Sequence, residues 1–460
     1  MNRRTIVLIG AGSAMFTQGL VADLILSGQP WHLALVDIDP SALQVAEGLS
    51  RRMIQARDAD ITIASSTDRR DLLPNADVVV TTIGVGGRRA WEADVVIPRQ
   101  YGIYQPVGDS VMAGGVSRAM RMIPANVAIA QDVVKLCPNA FFVNYSNPMT
   151  VNCAAIRKAT GANVIGLCIG TYDVYLELAA FIGKPAAEVS YLAAGVNHFT
   201  WIYDLRWRGE DAWPLVRAQL ARERAAGAST SAGAAATPGG DTTLERDKRY
   251  IPAARNPFSW SLFETYGAYP AVNDRHVVEF FPERFPNGDY YGRGKLGVDV
   301  FSVEQILAHG DDIYARMKAQ ALGEVPLDLR VFERAEGEHA QLLDILNAIQ
   351  ADSRAMFAAN VPNRGAIPQL PNDAVLELSC VATGRGLLPV QVPDFPDLLA
   401  APLRRRLAAH DITVEAALTG SRALFVEALL ADGSVNDPAV AGRLADDLLK
   451  AHQAYLPQFA

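Results

Sequence analysis

The sequence has few cysteines, no long apolar run and no excess of positive charge, and each absence excludes a class of protein. Four cysteines stand among 460 residues without a CxxC pair, so a disulfide scaffold is not expected. No stretch of about 18 uncharged apolar residues is present, which excludes a transmembrane helix. The formal net charge is −8, and phosphate binding needs a concentrated basic surface, so no nucleic-acid partner is expected.

The composition is otherwise that of a folded globular protein. Hydrophobic residues make up 50% and charged residues 20% of the chain, which is ordinary for a globular protein. The length allows two or three compact units. The first residues run directly into an apolar segment without a signal-peptide core or cleavage site, so we expect a cytoplasmic protein that needs no membrane.

Short apolar runs alternate with helical patterns in the first part of the chain. The predicted strands are residues 5–9, 33–37, 77–83, 140–144 and 164–168. Helices are predicted between them, among them 40–57 and 117–136. Such alternation is typical of a parallel sheet that is covered on both faces. We therefore predict an α/β fold with a Rossmann-type, doubly wound parallel sheet.

The pattern changes after residue 197, where an alternating segment at 200–206 indicates antiparallel strands. Most of the remainder is predicted to be helical, with patterns at 302–323, 328–359, 413–431 and 437–454. We predict an NAD-binding domain over 1–195 and a mixed α+β, mainly helical domain over 196–460 for the substrate and metal site and for oligomerisation. Residues 227–242 are rich in Ala, Gly, Ser and Thr and are predicted to form a mobile loop.

The first strand, Gly10-x-Gly12 and the helix after them form a dinucleotide-binding pattern, although the usual third glycine is missing. Asp37 ends the second strand, where a carboxylate accepts the ribose hydroxyls of NAD and repels the 2′-phosphate of NADP. Alternatively, the glycines make only a tight turn, and Asp37 or Asp39 caps the next helix. The predicted cofactor site comprises Gly10, Gly12, Ser13, Asp37 and Gly84.

Polar side chains follow three later strands, at the edge where open α/β sheets bind ligands. They are Asn147, Cys168 and His198. A buried cysteine is more often an inert apolar residue, and a lone histidine is more often part of the core. Together, a thiolate and an imidazole suit a borderline divalent metal.

A further segment, residues 266–281, places Asp274, Arg275 and His276 consecutively after a turn rich in Gly, Pro and Asn. This pattern is typical of a solvated turn with a salt bridge. It also fits a base, a cation and a ligand or hydrogen-bond donor that converge on a substrate.

The chain resembles the family 4 glycoside hydrolases in motifs that follow one another over nearly its whole length. They are Ile9–Ser13, Thr82–Arg88, Gly102–Asp109, Gly114–Arg118, Asn144–Met149, Gly166–Cys168, Asn197–His198 and Leu388–Pro389. The resemblance implies a fold similar to that of lactate and malate dehydrogenases, with NAD and a divalent cation, usually Mn²⁺. It also implies a mechanism outside two-carboxylate hydrolysis.

In that mechanism, hydride transfer to NAD oxidises the sugar at C3 and acidifies the proton on C2. A base removes this proton, the aglycone is eliminated, water adds and the hydride returns. By motif match, Cys168 and His198 hold the metal, which acts as a Lewis acid. The resemblance further assigns Asn147 to the sugar hydroxyls and places Asp109 and Arg118 at the site. Asp274 is the predicted C2 base, with Tyr266 as a weaker candidate.

The chain departs from the family at Ile169, directly after the metal-binding cysteine. Family members have His, Asp or Asn there, and that residue is linked to protonation or recognition of the leaving group. Isoleucine can do neither. Asp173, Tyr172 or water takes over the task, or the leaving group needs little acid help, or the reaction is not simple hydrolysis.

The segment around Tyr266 and Asp274 looks most like the α-galacturonidase branch of the family. A uronate carboxylate needs a cation, and Arg88, Arg89 and Arg275 are candidates, although these arginines could instead pair with carboxylates nearby. His276 is a further predicted substrate-binding residue. We expect an α-glycosidase acting on a uronide, with a neutral hexoside next. The alternatives are an NAD-dependent sugar or hydroxy-acid dehydrogenase and a non-catalytic NAD sensor. Family members are commonly homodimers or homotetramers, and the same is expected here.

Overall fold

The computed structural model describes residues 3–14, 16–229, 250–288, 303–333, 337 and 339–459. The first half of the chain alternates strands and helices, as the pattern predicts. Its elements are β1 (Arg4–Ile9), α1 (Thr17–Leu26), β2 (Trp31–Val36), α2 (Pro40–Ala56), β3 (Ile61–Ser66), β4 (Val78–Thr81), α3 (Gly87–Arg99), α4 (Met112–Leu136), β5 (Phe141–Asn144), α5 (Met149–Thr160), β6 (Val164–Gly166) and α6 (Gly170–Phe181).

Strands and helices are mixed in the second half. Its elements are β7 (Val189–Val196), β8 (Phe199–Trp207), β9 (Glu210–Asp211), α7 (Trp213–Ser229), α8 (Pro257–Tyr266), β10 (Tyr269–Ala271), α9 (Asp274–Val277), α10 (Val303–Leu322), α11 (Leu342–Gln350), β11 (Met356–Pro362), β12 (Val375–Thr383), β13 (Gly386–Pro389), α12 (Asp397–Thr419), α13 (Arg422–Asp432) and α14 (Pro438–Ala451).

The six strands of the first half form a parallel sheet in the order β3-β2-β1-β4-β5-β6. Their side chains are nearly all buried in β1, β2 and β4, because helices cover both faces. The strand order reverses between β1 and β4, which is where an open α/β sheet forms its ligand crevice. The predicted doubly wound fold is confirmed, with a C-terminal part that is mainly helical.

The antiparallel strands extend the same sheet beyond β6, in the order β6-β11-β12-β7-β8-β10. The β11–β12 hairpin therefore lies between β6 and β7. One large buried cluster contains residues from both halves of the chain, from Ile6 to Leu456. The division at 195/196 stays a prediction, because a continuous sheet crosses it.

Two expectations about the second half are wrong in part. The helical pattern at 328–359 contains α11, but β11 begins at Met356, inside the predicted helix. The predicted mobile loop at 227–242 overlaps the end of α7, which runs to Ser229, and the rest of that loop lies outside the described residues. None of the four cysteines, all of which lie among the described residues, forms a disulfide bond. Among the described residues, no helix is long and apolar enough to cross a membrane.

Candidate active site

Two predicted site residues follow neighbouring parallel strands, and the third lies in a turn of the antiparallel part of the sheet. Asn147 follows β5 and Cys168 follows β6, and these two strands are parallel neighbours in the sheet. His198 lies in the two-residue turn between β7 and β8 and has a φ of +69°. Few residues other than glycine adopt this conformation, and histidine is among those that do so more often. The turn places His198 at the end of a buried hairpin.

His198 lies in a cluster that also contains Asp109 and His276, whose potential ligand atoms all lie within 4.8 Å of one another. The two imidazole rings have centroids 4.1 Å apart. The Ser110 hydroxyl lies 2.8 Å from Oδ1 of Asp109 and 2.9 Å from Nδ1 of His198. Because one hydroxyl proton can serve only one acceptor, donation to the carboxylate places the His198 proton on Nδ1 and leaves Nε2 with the lone pair that a metal needs.

The loop that carries Asp109 is held by hydrogen bonds to Glu279 and by packing on α4. Val107 and Gly108 both donate their backbone N–H groups to Oε1 of the buried Glu279, each at 2.8 Å. On the other side, the loop packs on α4 at Gly114, where a Cβ would lie 2.8 Å from the carbonyl oxygen of Gly108. Glycines in the first turn of α4 therefore allow the close approach that brings Asp109 into the site.

The electrostatics of the cluster keep Asp109 ionised and His276 neutral. Burial raises the pKa of Asp109. The neighbouring His198, His276 and Arg118 lower this pKa and together outweigh burial, so that it lies at about 2. Burial lowers the pKa of His276 well below its ordinary value, and the adjacent His198 acts in the same direction. A carboxylate beside a neutral imidazole is a donor set for a divalent cation.

Asn147 joins the same cluster, and Arg118 supports it. The Asn147 side chain donates from Nδ2 to Oδ2 of Asp109 at 2.9 Å, and Arg118 donates from Nε to the Asn147 carbonyl oxygen at 3.0 Å. Three buried polar atoms here have no hydrogen-bond partner. They are Oδ1 of Asn147, Nδ1 of His276 and Nε of Arg275. Buried polar groups are rarely left unsatisfied, so these atoms fit a site that receives a polar ligand.

Cys168 is buried where β6 leads into α6 and accepts the Gly170 backbone N–H at 3.4 Å. The start of a helix favours a negatively charged thiolate. Cys168 is not part of the three-residue group around Asp109. β6 leads into Cys168 and β7 leads into His198. These two strands run in opposite directions and are separated by β11 and β12.

The predicted C2 base, Asp274, has another role in the structure. Its carboxylate accepts the backbone N–H groups of Phe258 and Ser259 and the Ser259 hydroxyl, at 2.6 to 2.9 Å. These bonds satisfy the N-terminus of α8, so Asp274 acts as a buried cap. The sequence reasoning did not foresee this role, and proton transfer by Asp274 stays a prediction.

Tyr266 and Arg88 are not joined to the cluster by the described contacts. The Tyr266 ring packs on Trp201, with centroids 5.1 Å apart. Arg88 forms an ion pair with Asp311 at 2.6 Å. The alternative interpretation, in which nearby carboxylates neutralise the arginines, therefore describes Arg88. Arg275 also lies near two carboxyl groups, those of Asp109 and Glu279.

The predicted cofactor site has the backbone of a dinucleotide turn. Gly10 has a φ of +91°, and a Cβ there would lie 2.9 Å from the Thr82 carbonyl carbon. The Gly12 backbone N–H donates to Oδ2 of Asp37 at 2.8 Å, and Ser13 closes the turn onto the Gly10 carbonyl oxygen at 3.1 Å. The cap of α2 is Asp39, not Asp37, so the capping alternative does not account for Asp37.

Gly84 lies in the turn after β4, between the cofactor residues and the cluster. A Cβ on Gly84 would lie 4.0 Å from Nη2 of Arg118. The turn is held by Arg121, whose Nε donates to the Val85 carbonyl oxygen at 2.9 Å. Arg118, which also contacts Asn147, therefore connects the turn after β4 with the polar cluster.

Comparison with known proteins identifies the family. The profile of the Family 4 glycosyl hydrolase matches residues 5–183, and that of the Family 4 glycosyl hydrolase C-terminal domain matches residues 193–435. The chain belongs to glycoside hydrolase family 4. The predicted resemblance is thus confirmed, and with it the prediction that the protein is a glycosidase.

Family 4 relatives with different named activities match the chain almost end to end. An α-glucosidase of Erwinia rhapontici is 31% identical over 470 residues, covering 98% of both chains. An α-galacturonidase of Bacillus subtilis (strain 168) is 29% identical, again covering 98% of both chains. The two identities are nearly equal, so overall similarity does not select the substrate.

Solved structures of family 4 proteins share the fold. The crystal structure of Bacillus subtilis lplD has a TM-score of 0.81 at 25% identity and covers 98% of this chain and 100% of its own. A 6-phospho-α-glucosidase from gut microorganisms has a TM-score of 0.83 at 18% identity, covers 99% of this chain and 100% of its own, and was crystallised with NAD and Mn²⁺.

Sequence reasoning missed three residues of the site. Ser110 and Glu279 were not assigned to it, although they follow Asp109 and His276 by one and three positions. Glu377 was overlooked as well. It lies alone in the apolar run of β12, and a carboxylate in a buried strand is unusual enough to have been a signal.

Proposed function

We propose that this family 4 glycosidase depends on NAD and a divalent metal and cleaves an α-glycoside, with a uronide as the favoured substrate. The observation that supports this proposal most is the buried cluster of Asp109, His198 and His276 beside a dinucleotide-type turn. A metal held at such a cluster would supply positive charge for sugar oxygens, and a dinucleotide at the turn would accept and return a hydride.

The described residues fit a divalent metal such as Mn²⁺. Asp109, His198 and His276 supply a carboxylate and two imidazoles within 4.8 Å of one another. The family resemblance adds the Cys168 thiolate, and a borderline cation accepts such a mixture. The buried Nδ1 of His276 lacks a partner, as expected of a nitrogen awaiting a ligand. Cys168 and His198 are the proposed principal ligands, and Asp109 and His276 line the same space.

The described residues also fit NAD. Gly10, Gly12 and Ser13 shape the turn that would receive the pyrophosphate. Gly84 follows β4, the strand that pairs with β1. Asp37 is only partly buried at the end of β2, so its carboxylate is available to the ribose hydroxyls. When bound, NAD supplies a hydride acceptor and donor, and the metal supplies positive charge for the oxygens of the oxidised sugar.

The chain's own residues orient the sugar and move its proton. Asn147 presents Oδ1 to a sugar hydroxyl, since its Nδ2 is held by Asp109. Arg118 fixes Asn147 from behind and adds positive charge beside Asp109. Asp274 is the proposed acceptor of the C2 proton, with Tyr266 as second candidate. For Asp274, this role requires that the substrate reach a carboxylate oxygen that already accepts a backbone N–H group at the start of α8.

Arg275 is the proposed partner of the uronate carboxylate. Its buried Nε has no hydrogen-bond partner, and it lies near Asp109. A charge-assisted bond to a carboxylate contributes about 1.5–3 kcal/mol, so Arg275→Gln should lower kcat/KM for the uronide about 10- to 100-fold. The matched control is Arg89→Gln, because Arg89 is exposed and paired with Glu92 and Asp311.

A comparison of nitrophenyl uronides and hexosides tests this assignment. Loss confined to the uronide in Arg275→Gln supports it. Equal loss on both substrates contradicts it and favours the neutral α-hexoside, the second candidate, which the α-glucosidase relative also favours.

Turnover in D₂O with NAD, Mn²⁺ and a reductant tests the reaction itself. The released sugar should carry deuterium at C2, and chelation should abolish cleavage until Mn²⁺ is restored. Cleavage that persists after NAD and metal are removed would contradict the proposal. Net accumulation of NADH with substrate would instead indicate a dehydrogenase.

A further inference from the structure

Glu377 is a carboxylate in the middle of the sheet, 2% exposed. Oε1 accepts the Thr171 hydroxyl at 2.5 Å, and Oε2 accepts Nδ2 of Asn197 at 3.1 Å and, more weakly, Nδ2 of Asn360 at 3.5 Å. All three donors are neutral. A carboxyl group this deeply buried needs hydrogen-bond partners, and these three side chains supply them.

The strands place Glu377 between the two halves of the site. On one side β12 pairs with β7, with Glu377 opposite Gly195. On the other side β12 pairs with β11, with Glu377 opposite Asn360, which is itself opposite Gly166 of β6. Glu377 therefore lies level with the ends of both strands that lead into the proposed metal ligands.

The two shortest hydrogen bonds of Glu377 go to residues in the turns that carry the proposed ligands. Thr171 lies in the first turn of α6, three residues after Cys168. Asn197 directly precedes His198 in the β7–β8 turn. One carboxylate thus connects two segments that are 26 residues apart in sequence and that each carry one proposed ligand.

We propose that Glu377 is the positioning residue of the metal site: by bonding Thr171 and Asn197 together, it fixes the distance between the Cys168 sulfur and the His198 ring. The proposal rests on the proposed function, because it takes Cys168 and His198 as the ligands. Groups behind metal ligands orient them, and their loss typically weakens metal binding about 10- to 100-fold.

Glu377→Gln tests the bridge with little change in size. The amide can accept from one side only, and its NH₂ group then faces another donor, so one turn is released. We expect Mn²⁺ affinity, measured by equilibrium dialysis with detection of free Mn²⁺ by electron paramagnetic resonance, to fall about tenfold or more. NAD affinity should stay near the wild-type value, because the cofactor turn is not touched.

The matched control is Ser379→Ala. Ser379 lies two residues along the same strand and accepts the Ala193 backbone N–H at 2.9 Å. Its loss weakens the β12–β7 pairing without touching either turn, so Mn²⁺ affinity should be unchanged. A control that loses as much affinity as Glu377→Gln would overturn the proposal, because general weakening of the sheet would then explain both.

A second pair of variants breaks the bridge from its other end and covers the case in which Glu377→Gln does not fold. Thr171→Val removes the hydroxyl at nearly constant volume, whereas Thr171→Ser keeps it. Thr171→Val should lose Mn²⁺ affinity and Thr171→Ser should retain it. Wild-type affinity in Thr171→Val and in any folded Glu377→Gln refutes the proposal. A wild-type chain that binds no Mn²⁺ would overturn the proposed function and this inference with it.

Discussion

Glu279 should make the stability of the metal-free protein depend on pH. Its side chain is 1% exposed. Burial, and then the charge of Asp109, raise its pKa from 4.5 to about 8, against the opposing effect of two backbone N–H groups and Arg275. The folded protein therefore binds a proton at neutral pH that the unfolded chain releases.

The sign and size follow from linkage between proton binding and folding. Because the pKa is higher in the folded state, the stabilisation is complete below pH 4.5 and is lost as the pH rises toward about 8. At about 1.4 kcal/mol per pH unit, this carboxyl alone lowers the free energy of unfolding by about 5 kcal/mol across that range.

Glu279→Gln isolates this contribution, because its amide oxygen can still accept the N–H groups of Val107 and Gly108. The free energy of unfolding should be measured with urea in the presence of a chelator, between about pH 5 and 8, the range that these pKa values set. It should fall more steeply with rising pH in the wild type than in the variant. The infrared band of a protonated carboxyl should be present in wild type at neutral pH and absent in Glu279→Gln. Identical pH slopes for the two proteins would refute the reasoning.

Three further predictions concern the cofactor, the leaving group and the core. Asp37→Ala should weaken NAD binding about tenfold or more in a fluorescence titration, whereas Asp39→Ala removes only a helix cap; equal effects would contradict the assignment. Ile169→Asp supplies a proton donor for the leaving group, so turnover of alkyl glycosides should rise relative to turnover of nitrophenyl glycosides. An unchanged ratio of the two rates would mean that loss of the aglycone needs no acid at this position. Arg406→Leu strands the buried Asp432 without its cation and should cost about 3–5 kcal/mol in urea unfolding; a loss below 1 kcal/mol would show that the pair contributes little.

The parallel half of the fold could be predicted because its signals are local. Each strand is a short apolar run beside a helical pattern, and Gly10, Gly12 and Asp37 have their positions in one βαβ unit. The β11–β12 hairpin could not be predicted in the same way. β11 contains two alanines, and its sequence pattern was interpreted as part of a helix. Its place between β6 and β7 depends on partners far away in the sequence.

The same distinction between local signals and tertiary packing applies to the site residues. The position of Asn147 after a parallel strand follows from the local pattern. The structure brings Asn147 and His198 together through Asp109, and their roles stay predictions. The roles of Asp274 and Arg88 were not visible, because their partners, the start of α8 and Asp311, are chosen by tertiary packing. Glu377 was missed for the same reason: only the strand order shows that it lies between two turns of the site.

The central claim is that a thiolate and an imidazole hold one divalent cation beside the NAD site, and Co²⁺ substitution tests it most directly. In the wild-type protein, bound Co²⁺ should show a thiolate-to-metal charge-transfer band. Cys168→Ser should lose this band, and His198→Ala should lose Co²⁺ affinity. A wild-type spectrum without any thiolate band, from protein with one Co²⁺ bound per chain, would contradict the account.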